Sequence, residues 1–300
     1  MITFDKFDKN RYSQDVIVTD GLIARLYEIT GDNVYLLPRG EKAKSMYNFA
    51  RLCKWLVDIN LPKQSRVVAV GGGSVGDVAG FAASVYKRGV NVLNVPTTLL
   101  AMVDSAIGGK TAIDMCGVKN VIGSFVNCDT LTDTDFLNTL PPRQIRYAMG
   151  EILKYRMLDE NIDSVKGDVK NFVRPCALFK EKIVSEDRYD KGMRKILNMG
   201  HTVGHALELQ YGISHGEAVR WGLKYELELS FKLGFASREY RDGWQKYFKG
   251  NAPRINDETL RLMTFDKKNV DGKVFFVLPC DGYKTRFFTA DDLHGLFAEV

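Results

Sequence analysis

The stretch RVVAVGGGSVGDVAG, residues 66 to 80, decides the fold of this chain. Five β-favouring residues lead into Gly71, Gly73 and Gly76, and a helical pattern follows. Glycines let a backbone approach a pyrophosphate closely, and the helix N-terminus offers N–H groups to the anion. The spacing is also typical of a plain strand-to-helix turn. A dinucleotide-binding turn is usually followed, about 20 residues later, by an acidic residue that binds the ribose. No acidic residue lies between Asp77 and Asp104, so we expect any ribose to be bound by other residues.

The pattern around this stretch predicts an α/β fold. Other β-rich runs are VIVT (16–19), NVYLL (33–37) and VNVLNVP (90–96), with helical patterns between them, which predicts a parallel sheet covered by helices. After LPPRQ (140–144), amphipathic helices are predicted near 143–157, 176–186, 191–209, 216–233 and 237–249. A strand pair, VFFVLP and KTRFF, precedes a last helix from about residue 290. We therefore predict a Rossmann-like parallel-sheet domain over residues 1–140 and a mostly α-helical domain over 141–300.

Composition and charge narrow the class of protein. The 300 residues are 45% hydrophobic and 26% charged, as in an ordinary globular protein. Apolar runs are too short for a membrane span and the start lacks a secretory pattern, so we expect a cytoplasmic location. Five cysteines without a C-x-x-C pair are expected to be reduced. The net charge of +5 comes from scattered cations, which suits a small anion and disfavours nucleic acid or membrane as a partner.

Three of the four histidines lie in NMGHTVGHALELQYGISHGEA, residues 198 to 218. His201 and His205 share one helix face, and His215 starts the next helix. Two histidines plus a carboxylate make a three-ligand catalytic metal site, and Glu151, in the apolar helix AMGEILKY, is a candidate carboxylate. These residues could instead be ordinary polar groups at a helix junction. Their crowding favours a metal, without deciding which two histidines bind it.

Cations beside glycines and turns indicate an anionic substrate, and we expect the segments GGK (108–110) and GVKN (117–120) to be loops that present a cation to an anion. Any one of them is more typical of a solvated surface, as is the loop PRGEKAKS (38–45), but together they suggest a ligand with several negative charges. The cationic candidates are Arg88, Lys110, Lys119, Lys154, Lys180, Arg194, Lys267 and Lys268, and the neutral Asn120 lies beside them in sequence.

Seven segments resemble, in order, the motifs of the 3-dehydroquinate synthases: GGGSVGDVAGFAASVYKRG, VPTTLLAMVDSAIGGKTAID, GVKNVIGSF, TDFLNTLPPR, GEILKY, MRKILNMGHTVGHALE and SHGEAV. The resemblance runs from about residue 38 to 280. It implies a homodimeric lyase of the shikimate pathway that uses NAD and one divalent metal, zinc or cobalt. The implied substrate, 3-deoxy-D-arabino-heptulosonate 7-phosphate, becomes 3-dehydroquinate and phosphate by transient oxidation, phosphate elimination, re-reduction and intramolecular aldol closure.

The resemblance also implies roles for single residues. The metal ligands are Glu151, His201 and His215. The catalytic residues are Lys110, Lys154, Arg194, Asn198 and His205, the last as a proton-transfer or hydrogen-bonding group. The remaining substrate contacts are Arg88, Asp104, Asn120, Lys180 and one of Lys267 or Lys268. The NAD contacts are Gly40, Glu41, Lys44, Gly72, Gly73, Ser74, Val75, Gly76, Asp77, Thr97, Thr98, Asp104, Lys110, Lys119, Phe136, Leu137, Asn138 and Thr139.

The chain departs from the pattern in three respects: a shorter N-terminus, the replacement of a glycine, and a connection from His205 to His215 that is shorter than usual. About 37 residues precede PRGEK, fewer than usual, and this shortened N-terminus predicts a change in NAD affinity but not in chemistry. Arg156 stands where the family usually has glycine. The alternatives are another sugar phosphate cyclase, a metal-dependent polyol or glycerol phosphate dehydrogenase, and a regulator that binds NAD or metal without turnover.

Overall fold

A computed structural model describes residues 1–265, 269 and 271–298. The described strands are β1 (Ile2–Phe4), β2 (Val16–Asp20), β3 (Val34–Leu37), β4 (Arg66–Gly71), β5 (Asn91–Pro96), β6 (Lys110–Met115), β7 (Val118–Phe125), β8 (Cys128–Thr132), β9 (Val274–Cys280) and β10 (Gly282–Phe288). The described α-helices are α1 (Gly21–Leu26), α2 (Met46–Asp58), α3 (Gly73–Val85), α4 (Pro142–Leu158), α5 (Glu160–Asp163), α6 (Lys170–Glu186), α7 (His201–Tyr211), α8 (His215–Lys232), α9 (Arg238–Gln245), α10 (Asp257–Thr264) and α11 (Ala290–Phe297).

Six parallel strands form the main sheet, in the order β1-β8-β5-β4-β2-β3. Val67 lies at the centre, paired with Val16 on one side and Val92 on the other, and all three are buried. Strands buried on both faces consist of nearly continuous apolar runs, which is why the pattern of β2, β4 and β5 was readable in the sequence. The predicted parallel sheet is confirmed.

The glycine stretch forms the turn from β4 into α3. Gly72 precedes the first residue of the helix. A Cβ at Gly72 would lie 3.1 Å from Thr98 Cγ2, and one at Gly73 would lie 2.8 Å from Ser105 Oγ. The turn therefore has no room for side chains at these two positions, because Thr98 and Ser105 pack against it.

By their contacts, the residues form two compact units. The first comprises Met1–Gln144 and Asp168–Tyr189, and the second comprises Ile145–Gly167 and the chain from Asp190 onward. Helix α6 belongs to the first unit, because Arg174 lies over the Phe4 ring and Glu181 accepts the Ile2 N–H at 2.9 Å. The functional division at residue 140 stays a prediction.

The second unit is mostly helical. Leu207 of α7, Val219 of α8 and Phe276 of β9 are buried in its core, and β9 pairs antiparallel with β10. The late strand pair and last helix are therefore confirmed. None of the helices in the described part of the chain combines the length and apolar content of a membrane span.

Two local predictions were wrong. The helix expected over 191–209 is broken, because Met193–Asn198 is a 3-10 helix and Gly200 takes a left-handed φ of +77° before α7 begins. The segment GVKN was expected to be a loop, but only its start is a turn. Lys119 and Asn120 lie in β7, which pairs with β6 in an antiparallel hairpin.

Candidate functional site

Three helices of the second unit bring Glu151, His201 and His215 together. One ligand atom from each lies within 4.8 Å of the other two. Glu151 Oε1 is 3.3 Å from His201 Nε2 and 3.2 Å from His215 Nε2, and Glu151 is fully buried. Among the described residues, the three that the resemblance implies as metal ligands thus form a group that could hold a metal ion.

Glycines set how closely these helices pack. A Cβ at Gly216 of α8 would lie 1.6 Å from the Tyr147 carbonyl oxygen of α4. A Cβ at Gly222 of α8 would lie 1.9 Å from the Gly200 carbonyl oxygen, just before α7. Backbone therefore contacts backbone at both helix pairs, and this close approach lets three short side chains converge.

The second ring nitrogen of each histidine has its own partner. His201 Nδ1 lies 3.0 Å from the Met199 carbonyl oxygen, and His215 Nδ1 lies 3.0 Å from Glu208 Oε2. A metal-binding histidine characteristically donates its other N–H to a carbonyl or a carboxylate, which fixes the tautomer and the ring orientation. The donor set, two imidazole Nε2 atoms and one carboxylate oxygen, fits a divalent ion.

The electrostatics of this centre favour a positive charge. Lys154, itself buried, donates a hydrogen bond from Nζ to Glu151 Oε2. Burial raises the pKa of Glu151, but the Lys154 ammonium and His201 outweigh burial and hold that pKa well below its usual value. Burial also lowers the pKa of His201 to about 3. Burial lowers the pKa of His215 too, but hydrogen bonds to Glu151 and Glu208 outweigh it and raise the pKa to about 10. The two carboxylates Glu151 and Glu208 therefore favour a positive charge at His215, and the same negative charges would stabilise a metal ion.

His205 lies beside the three ligands without belonging to their group. Its ring centroid is 5.3 Å from that of His201 and 6.0 Å from that of His215. Two other predicted catalytic residues lie in the 3-10 helix before α7. Arg194 is buried, and Asn198 Nδ2 donates to the Lys195 carbonyl oxygen at 3.0 Å. Their catalytic roles stay predictions.

In the first unit, Lys44, Asp77 and Asn120 meet. Lys44 Nζ donates to Asp77 Oδ2 at 2.6 Å and also to Asn120 Oδ1. Ser74 Oγ is 3.5 Å from Glu41 Oε2. Burial raises the pKa of Asp77 to about 6, although the adjacent Lys44 ammonium lowers it. These contacts join the PRGEKAKS loop, the start of α3 and the β6–β7 hairpin, so predicted NAD and substrate residues share one cluster.

A second pair in the same unit combines Asp104 and Lys180. Lys180 Nζ donates to Asp104 Oδ1 at 2.7 Å and to the Asp104 carbonyl oxygen at 2.6 Å.

Two predicted NAD contacts, Thr97 and Thr98, follow strand β5. The Thr97 N–H donates to the Gly71 carbonyl oxygen at 2.9 Å, and Thr98 Oγ1 accepts from Ala101 N at 3.3 Å. Both threonines therefore lie at the glycine turn, since Thr98 also packs against Gly72, and their role in NAD binding stays a prediction.

The remaining predicted contacts of this unit are on its surface or in short helices. Arg88 is exposed and takes a left-handed φ of +64°, and Lys110 is exposed at the start of β6. The 3-10 helix Thr134–Thr139 carries buried Phe136 and Leu137 followed by exposed Asn138 and Thr139. Lys267 and Lys268 lie outside the described residues.

Sequence reasoning missed two carboxylates that contact the helices carrying the candidate ligands, Glu208 and Glu226. Glu208 contacts His215, and Glu226 accepts the Gly200 N–H. A signal for the first was present, because His201, His205 and Glu208 follow one another at helical spacings of four and three. The second gives no local signal, since its contact is 26 residues away along the chain.

Comparison with known proteins decides the family. The model of the 3-dehydroquinate synthase N-terminal domain matches residues 34–147, and that of the C-terminal domain matches residues 147–269. The chain belongs to the 3-dehydroquinate synthase family. A 3-dehydroquinate synthase of Alkaliphilus metalliredigens is 35% identical, over 93% of this chain and 83% of that protein. The predicted family is thereby confirmed.

Solved structures place the chain within the sugar phosphate cyclase fold. A 2-deoxy-scyllo-inosose synthase in complex with carbaglucose-6-phosphate, NAD⁺ and Co²⁺ aligns with a TM-score of 0.84 at 22% identity, over 100% of this chain and 96% of that one. The 2-epi-5-epi-valiolone synthase of Streptomyces hygroscopicus, bound to NAD⁺ and Zn²⁺, gives 0.81 at 21%, over 99% and 95%. At such identities the likeness shows the fold alone, and the predicted fold class is confirmed.

Proposed function

We propose that the protein catalyses the 3-dehydroquinate synthase reaction, forming 3-dehydroquinate and phosphate from 3-deoxy-D-arabino-heptulosonate 7-phosphate. The observation that carries this proposal is the buried convergence of Glu151, His201 and His215 beside Lys154, in a chain of this family. Such a centre suits oxidation and re-reduction of a sugar hydroxyl, because it combines a Lewis-acid site with groups that hold protons.

Glu151, His201 and His215 are proposed to hold one Zn²⁺ or Co²⁺ ion. When bound, the ion supplies Lewis-acid polarisation of the substrate oxygen that is oxidised and later reduced. Lys154, whose ammonium contacts Glu151, keeps this carboxylate ionised and thus ready to be a ligand. His205, next to the ligands but outside their group, is proposed to hold or move a proton of the substrate.

The glycine turn before α3 is proposed to bind NAD, with the loop around Glu41 and the helix Thr134–Thr139. When bound, the nicotinamide supplies a hydride acceptor that is regenerated within one turnover. The Lys44, Asp77 and Asn120 cluster supports this proposal, because it fixes three separate segments of the first unit into one polar surface.

The predicted cations give the site its preference for anions. Lys180 and Arg194 are buried, and desolvated cations bind phosphate or carboxylate groups more strongly than solvated ones. Arg88 is held in a left-handed conformation, which is uncommon for arginine and typical of functional loops. We propose that these three bind the carboxylate and phosphate of the substrate.

The proposal is tested by phosphate release from the heptulosonate phosphate, with Zn²⁺ or Co²⁺ and with NAD well below the substrate concentration. We expect phosphate release that requires the metal, exceeds the NAD present and leaves no lasting NADH absorbance. His215→Ala serves as the metal-site control. Sustained NADH would indicate a polyol or glycerol phosphate dehydrogenase, and NAD binding without phosphate release would indicate another cyclase substrate or a regulator.

A homodimer in the cytoplasm is part of the same proposal. The dimer is measured by light scattering of the purified protein at assay concentration, and the location by fractionation of the source cells. A monomer that is fully active would contradict the dimer without affecting the proposed reaction.

A further inference from the structure

We propose that Glu208 and Glu226 are positioning residues that hold the two metal-binding histidines reciprocally. Helix α7 carries the ligand His201, and its Glu208 contacts His215, the ligand on α8. Helix α8 carries the ligand His215, and its Glu226 accepts the backbone N–H of Gly200 at the start of α7, next to His201. Each helix thus supplies one ligand and one carboxylate that positions the ligand on the other helix. The inference rests on the metal role proposed for Glu151, His201 and His215.

Glu208 acts directly on the ring of His215. Its Oε2 lies 3.0 Å from His215 Nδ1, while His215 Nε2 faces Glu151 at 3.2 Å. Glu208 lies seven residues after His201, so both project from the same face of α7. A carboxylate that accepts the Nδ1 hydrogen keeps the Nε2 lone pair directed at the metal position and raises the basicity of the ring. Any shift of α7 therefore moves His201 and the partner of His215 together.

Glu226 acts on His201 through the backbone. It is fully buried and accepts the Gly200 N–H at 2.5 Å and the Val203 N–H at 3.4 Å. The first N–H groups of a helix have no partner within it and are usually capped by a side chain. Gly200 occupies the cap position of α7 and has no side chain, so α8 provides the cap. His201 lies between the two capped N–H groups, and a negative charge there is also favoured by the helix dipole.

Packing alone does not require either carboxylate. The two helices already contact through Gly200, Gly204 and Gly222, where added Cβ atoms would lie within 3.0 Å of neighbouring atoms. Burying a charge costs free energy, so an apolar side chain would serve better at a site with a purely structural role. Glu208 instead contacts the ring of a proposed ligand, and Glu226 accepts backbone N–H groups on either side of the other histidine ligand, which is the pattern expected of groups that orient a metal site.

The test is Co²⁺ binding to the full-length protein and to the variants Glu208→Ala, Glu208→Gln and Glu226→Gln. Glu239→Gln, on the exposed surface of α9, is the matched control. The dissociation constant is measured by competition with a chromophoric chelator, and ligand geometry by the visible absorption of bound Co²⁺. We expect Glu208→Ala to weaken binding about 10- to 100-fold and to change the spectrum, and Glu208→Gln, which keeps an acceptor oxygen, to weaken it less. Glu226→Gln should weaken binding also, with a thermal midpoint of the metal-free protein close to that of the parent.

Three results would overturn the inference. One is an unchanged dissociation constant and spectrum in Glu208→Ala. Another is an unchanged Co²⁺ dissociation constant in Glu226→Gln. If that variant does not fold, the same result in Glu226→Asp would count, because the shorter side chain keeps the charge but cannot reach both N–H groups equally. The third is a loss of affinity that only follows a loss of thermal stability. A parent protein that binds no Co²⁺ would contradict the proposed metal site itself, whereas normal parent binding with unaffected variants contradicts the reciprocal positioning alone.

Discussion

At the scale of single residues, the metal centre depends on the buried carboxylate of Glu151. Lys154 donates a hydrogen bond to it, and His201 and His215, the proposed histidine ligands, lie within 3.3 Å of it. We expect Glu151→Gln and His215→Ala to abolish metal binding and turnover. His205→Ala should keep the metal but lose about 10²- to 10⁴-fold in rate, the usual contribution of a proton-transfer group. Metal content by mass spectrometry and phosphate release distinguish the two classes, and a metal-free His205→Ala protein would contradict the ligand assignment.

A second residue-scale prediction concerns Asp77 and pH. Burial raises its pKa to about 6, above the ordinary value of 3.8, so between pH 4 and 6 the folded protein binds a proton that the unfolded chain has released. Stability contributed by this proton is present at low pH and is lost as pH rises through 6. Relative to Asp77→Asn, the parent should lose about 2 kcal/mol of unfolding free energy between pH 4 and 7. Urea unfolding measures this, with exposed Asp58→Asn as control, and parallel curves for parent and Asp77→Asn would contradict it.

The residue scale also shows where sequence reasoning stops. The crowding of His201, His205 and His215 predicts a metal, but it does not separate ligand from neighbour. That separation depends on where α4, α7 and α8 meet. The contact of Lys44 with Asp77 and Asn120 has no local signal either, because the partners are 33 and 76 residues away along the chain.

At the scale of elements, the site depends on how closely α4 and α8 approach each other. We expect Gly216→Ala to destabilise the protein by about 3 kcal/mol and to weaken metal binding, because its Cβ would overlap the Tyr147 carbonyl, which cannot move without the helix. Gly243→Ala, in α9 with open space around it, is the matched control and should stabilise by about 0.5 kcal/mol. Urea unfolding and Co²⁺ titration test both. A Gly216→Ala protein with parental stability and affinity would show that helix approach does not set the site.

Strands and helices were predictable where burial leaves a recognisable pattern of apolar residues in the sequence. Strands β2, β4 and β5 are buried on both faces, and their apolar runs were readable. Strand β1 has only three residues and β8 reads CDTLT, so neither gives such a run. The break before α7 was missed because the apolar spacing continues across Gly200, whose left-handed φ ends the helix without changing the pattern.

At the scale of the whole molecule, long motifs predicted the family and fold better than local patterns predicted contacts. The amphipathic pattern of α6 shows that it packs on a core, but not on which one. The contacts of Arg174, Lys180 and Glu181 in the structure place it with the first unit. A single boundary in sequence therefore does not describe how the chain is divided in space.

The two units make the last prediction possible, since the proposed NAD residues lie in one and the proposed metal ligands in the other. A ligand present at 100 times its dissociation constant stabilises the structure that binds it by about 2.7 kcal/mol. Zn²⁺ alone should slow hydrogen exchange most in α4, α7 and α8, and NAD alone should slow it most around the glycine turn. Exchange followed by mass spectrometry measures both, and His215→Ala should lose only the Zn²⁺ effect. If Zn²⁺ alone slows hydrogen exchange equally in both units, the prediction is wrong. The two units then unfold together, because a ligand bound to one of them slows exchange at every amide that exchanges only through that joint unfolding.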